Sequence, residues 1–481
     1  MGSDEKTMTN AYDDVIIGAG HNSLVCAAYL SKGGYRVLVL EKEKQLGGST
    51  KTLELTLPGF RHEALSGAFL SDTSIFSELK LESYGLKFLY PNKIYGSVFP
   101  DQRCLVCHSD INKTMKEFSK FSKKDGEAWQ ELYKYYLKMQ DALGPIYSSS
   151  NPFSMRTLLT FYYKLRKKGF MEILKLMTMD SRSFVDEWFE SEEAKSFVVS
   201  MTFHPDIAPE TPGGAFFALF SNLSVQQYGM PLAVGGVQSL VNALVKLIKA
   251  HGGTFATNSE VTRILIEKGK AVGVELKDGK KIFAKKVIAS VEPKQLFLRL
   301  VGENHLESDF VRKVKKYKYG LSALLVHIAL DGPMMWKAKE IRGVPLIHVG
   351  PYVNDISKAA NEALRGHLPS SPYMLVGNHT AIDPSLAPEG KHTLWIDVRT
   401  TPSKIKGDAA NEISRSEWSE VKEEFADRCL AKLQEYVPLK NIILKRIVLS
   451  PQDIQNLNQN LVGGDTIAGT LSLYQFLLRP F

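Results

Sequence analysis

The first residues whose types and spacing could do chemistry form the run Gly18-Ala19-Gly20-His21-Asn22-Ser23. An apolar segment, 14–18, precedes the run and is typical of a buried parallel strand. Residues 22–32 have helical spacing and end at Gly33-Gly34, which is a helix C-cap signal. A glycine turn between a strand and a helix offers unpaired N–H groups and the positive end of the helix dipole to a phosphate.

An acidic residue follows at the spacing that a nucleotide site requires. Residues 36–41 predict a second buried strand, and Glu41 ends it 23 residues after Gly18. A carboxylate at this place accepts a hydrogen bond from a ribose hydroxyl. Ser23 replaces the third glycine of the motif and is small enough for helix and strand to pack. The pattern therefore predicts a dinucleotide site rather than an ordinary tight turn.

Gly47-Gly48-Ser49-Thr50 is a second glycine-containing segment. It would let the chain pass close to the diphosphate and ribityl region of a cofactor, although an ordinary loop with two glycines also fits. No second GxGxxG run follows a predicted strand. These residues alone leave both FAD and NAD open as the bound dinucleotide.

The composition is typical of a globular protein with two or three domains. The 481 residues are 44% hydrophobic and 23% charged, with a formal net charge of +8. We expect no nucleic-acid partner, because no basic run with interleaved aromatic residues is present. Four scattered cysteines, a polar N-terminus and the lack of an 18-residue apolar stretch predict a cytoplasmic protein.

Three further features have a functional and a simpler interpretation. Cys104-Leu-Val-Cys107-His108 fits the attachment pattern of c-type haem, but it falls in a predicted hairpin, 93–108, where positions i and i+3 face opposite sides. We therefore expect no metal site there. His62 could line an active site or lie on the surface. His204 could face a substrate cavity or be a turn histidine before a proline. Phe153 to Met179 could lie on a membrane or be a helix with one solvated face.

The run 13–50 resembles the start of the phytoene dehydrogenase-like flavoproteins, which include carotenoid desaturases and carotene ketolases. The resemblance covers most of the chain and is weakest at about 111–220. Further matching patches are Leu57–His62, Phe99–Asp101, Pro231–Gly302, Asp383–Gly390, Leu461–Asp465, Leu471–Leu473 and Arg479-Pro480.

The resemblance implies non-covalent FAD, with the glycine turn at the pyrophosphate, Glu41 at the adenosine ribose and the backbone of Val261 at the adenine. It also implies hydride removal from a hydrophobic, carotenoid-like substrate, with quinone or oxygen as electron acceptor. Since flavin carries this chemistry, no catalytic side chain is predicted. The predicted cofactor-binding residues are Gly18, Ala19, Gly20, His21, Asn22, Ser23, Glu41, Lys42, Gly47, Gly48, Ser49, Thr50 and Val261.

The predicted fold class is α/β: a Rossmann-like FAD/NAD(P)-binding domain of glutathione-reductase type with an inserted α+β substrate (cap) domain. Residues 1–80, 225–300 and 441–481 would form the first domain, and 81–224 (mostly helical) and 301–440 the second. Further predicted elements are the helix 238–251, the strands 261–266, 271–276, 285–290, 322–330 and 393–399, and the helix 417–436.

In the family, the chain continues beyond the Arg-Pro segment and closes over the pyrophosphate and the flavin, whereas this sequence ends at Phe481. Two alternatives therefore remain open. One is an NAD-dependent dehydrogenase that uses the single Rossmann site. The other is a non-catalytic binding or scaffold relative without tight FAD binding.

Overall fold

The structure is a computed structural model that describes residues 12–67, 74–147 and 155–477. Phe153, Arg479-Pro480 and Phe481 lie outside these ranges. The described strands are β1 (Tyr12–Ile17), β2 (Val37–Leu40), β3 (Thr52–Leu53), β4 (His62–Glu63), β5 (Phe88–Leu89), β6 (Lys93–Val98), β7 (Cys104–His108), β8 (Leu232–Ala233), β9 (Thr254–Ala256), β10 (Val261–Glu267), β11 (Lys270–Leu276), β12 (Lys281–Ala289), β13 (Ser322–Leu330), β14 (Leu346–Val349), β15 (His367–Leu368), β16 (Met374–Gly377), β17 (His392–Thr401), β18 (Gly407–Asp408) and β19 (Ile443–Leu449).

The described α-helices lie mostly between these strands. They are α1 (His21–Lys32), α2 (Ser74–Glu78), α3 (Ile111–Ser119), α4 (Lys123–Tyr147), α5 (Met155–Thr178), α6 (Ser181–Trp188), α7 (Glu192–Ser200), α8 (Gly214–Tyr228), α9 (Gln238–Ala250), α10 (Ser308–Lys315), α11 (Val353–Leu364), α12 (Trp418–Gln434), α13 (Pro451–Leu457) and α14 (Leu473–Leu477). Among the described residues, no helix has the length and apolar character needed to cross a bilayer.

The first sheet has six strands in the order β10-β11-β12-β1-β2-β9. Strands β12, β1, β2 and β9 are parallel, and β10 and β11 extend the sheet as antiparallel strands. Successive residues of β1 pack on opposite faces. Ile16 belongs to one core cluster with α1 and α9, whereas Val15 and Ile17 belong to another with β10 and β11. Burial on both faces explains why the last three residues of β1, 15–17, are all apolar.

The predicted Rossmann-like α/β fold is confirmed, and the local predictions agree with the structure to within a few residues. The predicted segments 14–18, 22–32 and 36–41 correspond to β1, α1 and β2. The later predicted segments correspond to α9, β10, β11, β12, β13, β17 and α12. The short strands β9, β14 and β16 were missed, because runs of three or four residues carry little periodicity.

The second sheet has seven strands in the order β19-β13-β17-β16-β14-β6-β7. One face packs against the helical segment α3–α8, and the other packs against α12. The two cysteines of β7 divide between these faces: Cys107 lies in the cluster with α3–α8, and Cys104 in the cluster with α12. The prediction that these side chains point to opposite faces is therefore confirmed.

The structure differs from the predicted domain boundary at residue 441. Strand β19 pairs antiparallel with β13, so it is an edge strand of the second sheet rather than part of the first domain. The physical reason is that α12 returns the chain to the sheet it left after β17. A local apolar pattern indicates a strand but does not name its pairing partner.

A buried polar network joins two distant segments of the first domain. The Glu63 carboxylate accepts hydrogen bonds from the Thr52 hydroxyl at 3.0 Å and from the Val237 N–H at 3.0 Å. The Thr52 hydroxyl oxygen accepts from the Gln238 N–H at 3.1 Å. These contacts satisfy N–H groups at the start of α9 that have no partner within the helix. Gly236 is required between them, since a Cβ there would lie 2.3 Å from Thr52 Oγ1.

Three buried histidines hold the segment that follows β4. The rings of His62 and His327 are in edge contact, with centroids 5.4 Å apart. His327 donates through Nε2 to the Ala64 carbonyl at 3.2 Å, and His379 donates through Nε2 to the Gly67 carbonyl at 2.8 Å. Burial lowers the pKa of His62 to about 4, of His327 to about 3 and of His379 to about 4. His62 is therefore a core residue rather than a surface one.

We expect these histidines to make the fold sensitive to acid. In the unfolded chain His379 has a pKa near 6.5, whereas in the folded protein its pKa is about 4. Between these pH values the unfolded state therefore binds a proton that the folded state does not. Stability therefore falls as pH drops through this window, by up to about 1.4 kcal/mol per pH unit for each such histidine. In His379→Gln the unfolding free energy should fall less steeply with decreasing pH, because one proton fewer is bound on unfolding. Urea unfolding at pH 7.5, 6.0 and 5.0 measures this slope.

The control is His305→Gln, because the side chain of His305 is exposed. It should follow the wild type across the series. Glu63, whose pKa burial raises to about 7, has the opposite pH effect, but it is present in all three proteins and cancels in the comparison. Identical slopes for His379→Gln and the wild type would contradict the assignment.

Candidate dinucleotide site

A cavity of about 780 Å³ lies between the first sheet and the second. This is toward the large end of the roughly 300–1,000 Å³ range of ligand pockets. Its walls include the glycine turn, the segment after β12 and residues 457–461. Of the predicted site residues, the cavity is lined by Gly18, Ala19, Gly20, His21, Asn22, Glu41, Lys42, Gly48, Ser49, Thr50 and Val261.

The glycine turn leaves its backbone accessible. Gly18 has φ +88, and its N–H donates to the Leu40 carbonyl at 2.8 Å, which fixes the turn on β2. Positions where a Cβ would extend from Gly18 or Gly20 have no heavy atom within 4 Å. Gly20 is the N-cap of α1 and supplies no side-chain cap. The first N–H groups of α1 are therefore available to an anionic ligand.

The second glycine segment packs directly on the first. The Gly47 N–H donates to the Ala19 carbonyl at 2.9 Å, and Gly20 and Gly47 form an isolated parallel bridge. Gly48 has φ +60, and a Cβ there would lie 3.0 Å from Gly20 Cα. Gly47 does not line the cavity, but it holds the two turns together. The two glycines thus have a backbone role that an ordinary loop would not require.

Glu41 is held in place with acceptor capacity to spare. The residue is 8% exposed, and its carboxylate accepts from the Ala19 N–H at 2.8 Å and the Glu43 N–H at 3.0 Å. A carboxylate offers about four lone-pair sites, so roughly two remain. Lys42 lies beside it and pairs with Glu43 at 3.6 Å. The arrangement can accept hydrogen bonds from a ribose.

The remaining predicted residues occupy distinct places. Thr50 Oγ1 lies 3.0 Å from His21 Nδ1, which joins the two turns through side chains. Asn22 is exposed at the start of α1, and Val261 begins β10 at the cavity wall. Ser23 is buried below the turn and does not line the cavity, and its hydroxyl finds no hydrogen-bond partner among the described residues.

Sequence reasoning missed the wall formed by the C-terminal segment. Asn458 donates through Nδ2 to Ser49 Oγ at 2.7 Å, and Asn460 accepts from the Glu292 N–H at 3.0 Å. The adjacent patch Leu461–Asp465 was a signal for this wall, since it was among the segments that carried the resemblance. Arg399 of β17 also lines the cavity and had no local motif to identify it.

His204 is not among the residues that line the cavity. Its Nε2 lies 3.0 Å from Nε2 of buried His348, and its carbonyl accepts from Arg399 Nη1 at 2.8 Å. Burial keeps the pKa of His204 well below its usual value. The residue is therefore a neutral packing partner behind the wall.

Comparisons with known proteins agree with this geometry. Rattus norvegicus "Pyridine nucleotide-disulfide oxidoreductase domain-containing protein 2" is 27% identical over 98% of this chain and 86% of the relative. A limonene dehydrogenase component of Castellaniella defragrans is 27% identical over 88% and 78%, and a "4,4'-diapophytoene desaturase" of Methylomonas sp is 23% identical over 81% and 74%.

The fold is also found among solved structures. An oxidoreductase from Methanosarcina mazei superposes with a TM-score of 0.60 at 20% identity, covering 91% of this chain and 87% of that one. The model of the family "Flavin containing amine oxidoreductase" matches residues 24–475, which include most of α1, all of the first sheet except β1, the whole second sheet and the C-terminal cavity wall. The chain therefore belongs to the flavin-containing amine oxidoreductase family and is a flavin-dependent oxidoreductase.

Proposed function

We propose that the protein binds FAD non-covalently in the cavity and removes hydride from a C–H bond of a hydrophobic, polyprenoid-like substrate. The observation that carries this proposal is the packing of the two glycine turns beside Glu41. They line a cavity whose wall also includes Arg399 of the second sheet. Such a cavity suits an elongated ligand with a diphosphate near one end.

The glycine-turn end suits the adenosine diphosphate half of FAD. The N–H groups at the start of α1 would bind the pyrophosphate, Glu41 would bind the ribose, and the backbone of Val261 would border the adenine. The open space at Gly18 and Gly20 gives phosphate oxygens room to approach the backbone. Ser49 and Thr50 would line the path toward the flavin.

FAD, when bound, supplies the hydride acceptor. The protein's part is to bind and orient the reactants and to exclude water. Leu65, Leu461 and Ile467 line the cavity together with Tyr317, and they give part of its wall an apolar surface. An apolar surface favours a hydrophobic substrate and keeps water from the reacting atoms. Quinone or oxygen would then take up the electrons.

The names of two relatives support the substrate class. Limonene and 4,4'-diapophytoene, which appear in those names, are hydrocarbons without polar groups. A cavity that recognises such molecules must rely on apolar contact rather than on paired charges. The family name includes amines, so a primary amine is the natural comparison substrate.

The substrate class is tested by anaerobic reduction of the bound flavin. We expect limonene or 4,4'-diapophytoene to bleach the visible absorption of the FAD-loaded protein, and putrescine to leave it unchanged. Bleaching by putrescine alone would replace the hydrocarbon class with amines. A colourless protein that takes up NAD⁺ but no FAD would favour the dehydrogenase alternative, and one that takes up neither would favour the scaffold alternative.

A Glu41→Arg variant tests the site itself. We expect FAD affinity to fall roughly ten- to hundredfold, because hydrogen bonds to a charged acceptor contribute about 1.5–3 kcal/mol and are replaced by a cation. Affinity is measured by fluorescence titration of FAD into the apoprotein. Glu54→Arg makes the same charge change on an exposed side chain that does not line the cavity, and it should bind FAD as the wild type does. Equal affinity in both variants would remove Glu41 from the site.

We also propose peripheral contact with an anionic membrane through α5. Exposed apolar residues are concentrated on this helix: Met155, Leu159, Tyr162, Tyr163, Phe170, Met171 and Leu174. Exposed basic residues stand among them: Lys164, Arg166, Lys167 and Lys168. Apolar side chains can enter the headgroup region while lysine and arginine pair with anionic lipids. This placement would bring a hydrophobic substrate from the bilayer to the protein.

Co-sedimentation with vesicles tests this contact. We expect binding to phosphatidylserine-containing vesicles at low salt, and a several-fold loss in Tyr163→Ser/Met171→Ser because both exposed apolar anchors are removed. Leu364→Ser, which removes an exposed apolar side chain from α11, is the matched control and should bind as the wild type. Equal binding by all three proteins would exclude α5 as the contact surface.

A further inference from the structure

Arg399 stands at the cavity wall on a strand of the second sheet, and it is anchored from one side. Its Nε–H donates to Asp397 Oδ2 at 3.0 Å. Its Nη1 donates to the His204 carbonyl at 2.8 Å and to Asp206 Oδ1 at 2.9 Å. Neither carboxylate lines the cavity, whereas Arg399 does. The guanidinium is therefore fixed in direction, with its counter-ions away from the ligand space.

The hydrogen-bond inventory of this guanidinium is incomplete. Arginine has five N–H donors, and these three contacts use the single donor on Nε and both donors on Nη1. No residue in the described part of the chain accepts from Nη2. The side chain is only 13% exposed, but Nη2 is not among the buried atoms without a partner, so its two donors are accessible to an acceptor on a ligand in the cavity.

The position of Arg399 identifies which part of a ligand it would meet. The glycine turn, Glu41 and Val261 form the end assigned to adenosine diphosphate. Arg399 comes from the second sheet and lines the same cavity, as do Tyr317 and residues 466–468. If an extended dinucleotide has its phosphates at the glycine turn, its other ring system lies toward this wall.

We infer that Arg399 binds the pyrimidine carbonyl edge of the flavin ring, which rests on the proposed FAD function. Carbonyl oxygens accept from arginine, and the planar Nη2 group suits a flat ring. A fixed cation at this edge would also stabilise the negative charge that the ring carries when it is reduced. This stabilisation is stronger in a site that holds little water, because the local dielectric constant is low. Arg399 would thus both hold the ring and raise its reduction potential.

Asp206 and Asp397 modulate that effect. Each carboxylate offsets part of the arginine charge, and burial raises the pKa of Asp206 to about 7 and also raises that of Asp397. Removing the Asp206 charge should leave Arg399 more positive toward the cavity. Removing the arginine charge should do the reverse. The two changes therefore have opposite expected signs, which a general loss of packing would not produce.

The first test compares affinities for FAD and for ADP in the full chain. We expect Arg399→Met to weaken FAD at least tenfold and to leave ADP within twofold of the wild type, since ADP lacks the flavin. Arg399→Lys keeps the charge but lacks the planar guanidinium, so its FAD affinity should lie between those of Arg399→Met and the wild type. Parallel losses of FAD and ADP would assign a purely structural role to Arg399 and overturn the inference.

The second test is the two-electron midpoint potential at pH 8.5, where the Asp206 carboxylate is ionised in the wild type. We expect Arg399→Met to lower the preference for reduced over oxidised FAD at least tenfold, which is about 30 mV, and Asp206→Asn to raise the potential. Shifts of the same sign, or none, would overturn the inference, and so would an effect only on substrate affinity. A wild type that binds ADP but no FAD would instead refute the proposed function.

Discussion

The site depends on the contact between two glycine turns. Gly48 has no room for a side chain, because a Cβ there would lie against the Cα of Gly20. The Gly47 N–H donates a hydrogen bond to the Ala19 carbonyl. The same turn gives the Ala19 N–H to Glu41. One close backbone approach therefore fixes the start of α1, the Glu41 carboxylate and the cavity wall together. A Cβ at Gly48 would press on the Gly20 backbone and shift all three, since backbone cannot yield as a flexible side chain does.

Long-range polar contacts keep that geometry rigid. Glu63 and Thr52 accept hydrogen bonds from backbone N–H groups at the start of α9. Glu63 and its donor Val237 are 174 residues apart in the sequence. Asn458 and Asn460 tie the C-terminal wall to Ser49 and to Glu292. Each of these side chains satisfies a backbone or hydroxyl group that would otherwise be buried without a partner. The cavity wall is built from separate segments of the chain, and these contacts are where the segments meet.

The parts that could be predicted from sequence are those with a local physical cause. The glycine turn, α1, β2 and Glu41 follow one another within a few tens of residues, so spacing alone identifies them. Strand β19 and Arg399 could not be placed in this way. The partner of β19 is set by the return of α12 to the second sheet, and the role of Arg399 depends on Asp206, 193 residues earlier. A single sequence carries no signal for such pairs.

The two domains contribute different kinds of electrostatics to one cavity. The first offers backbone N–H groups and a helix dipole, which need no counter-ion and tolerate little change in shape. The second offers a charged side chain that must be neutralised by buried carboxylates, so its strength can be tuned by single substitutions. The glycine-turn part of the cavity therefore relies on backbone geometry, whereas the part beside Arg399 relies on side-chain charge.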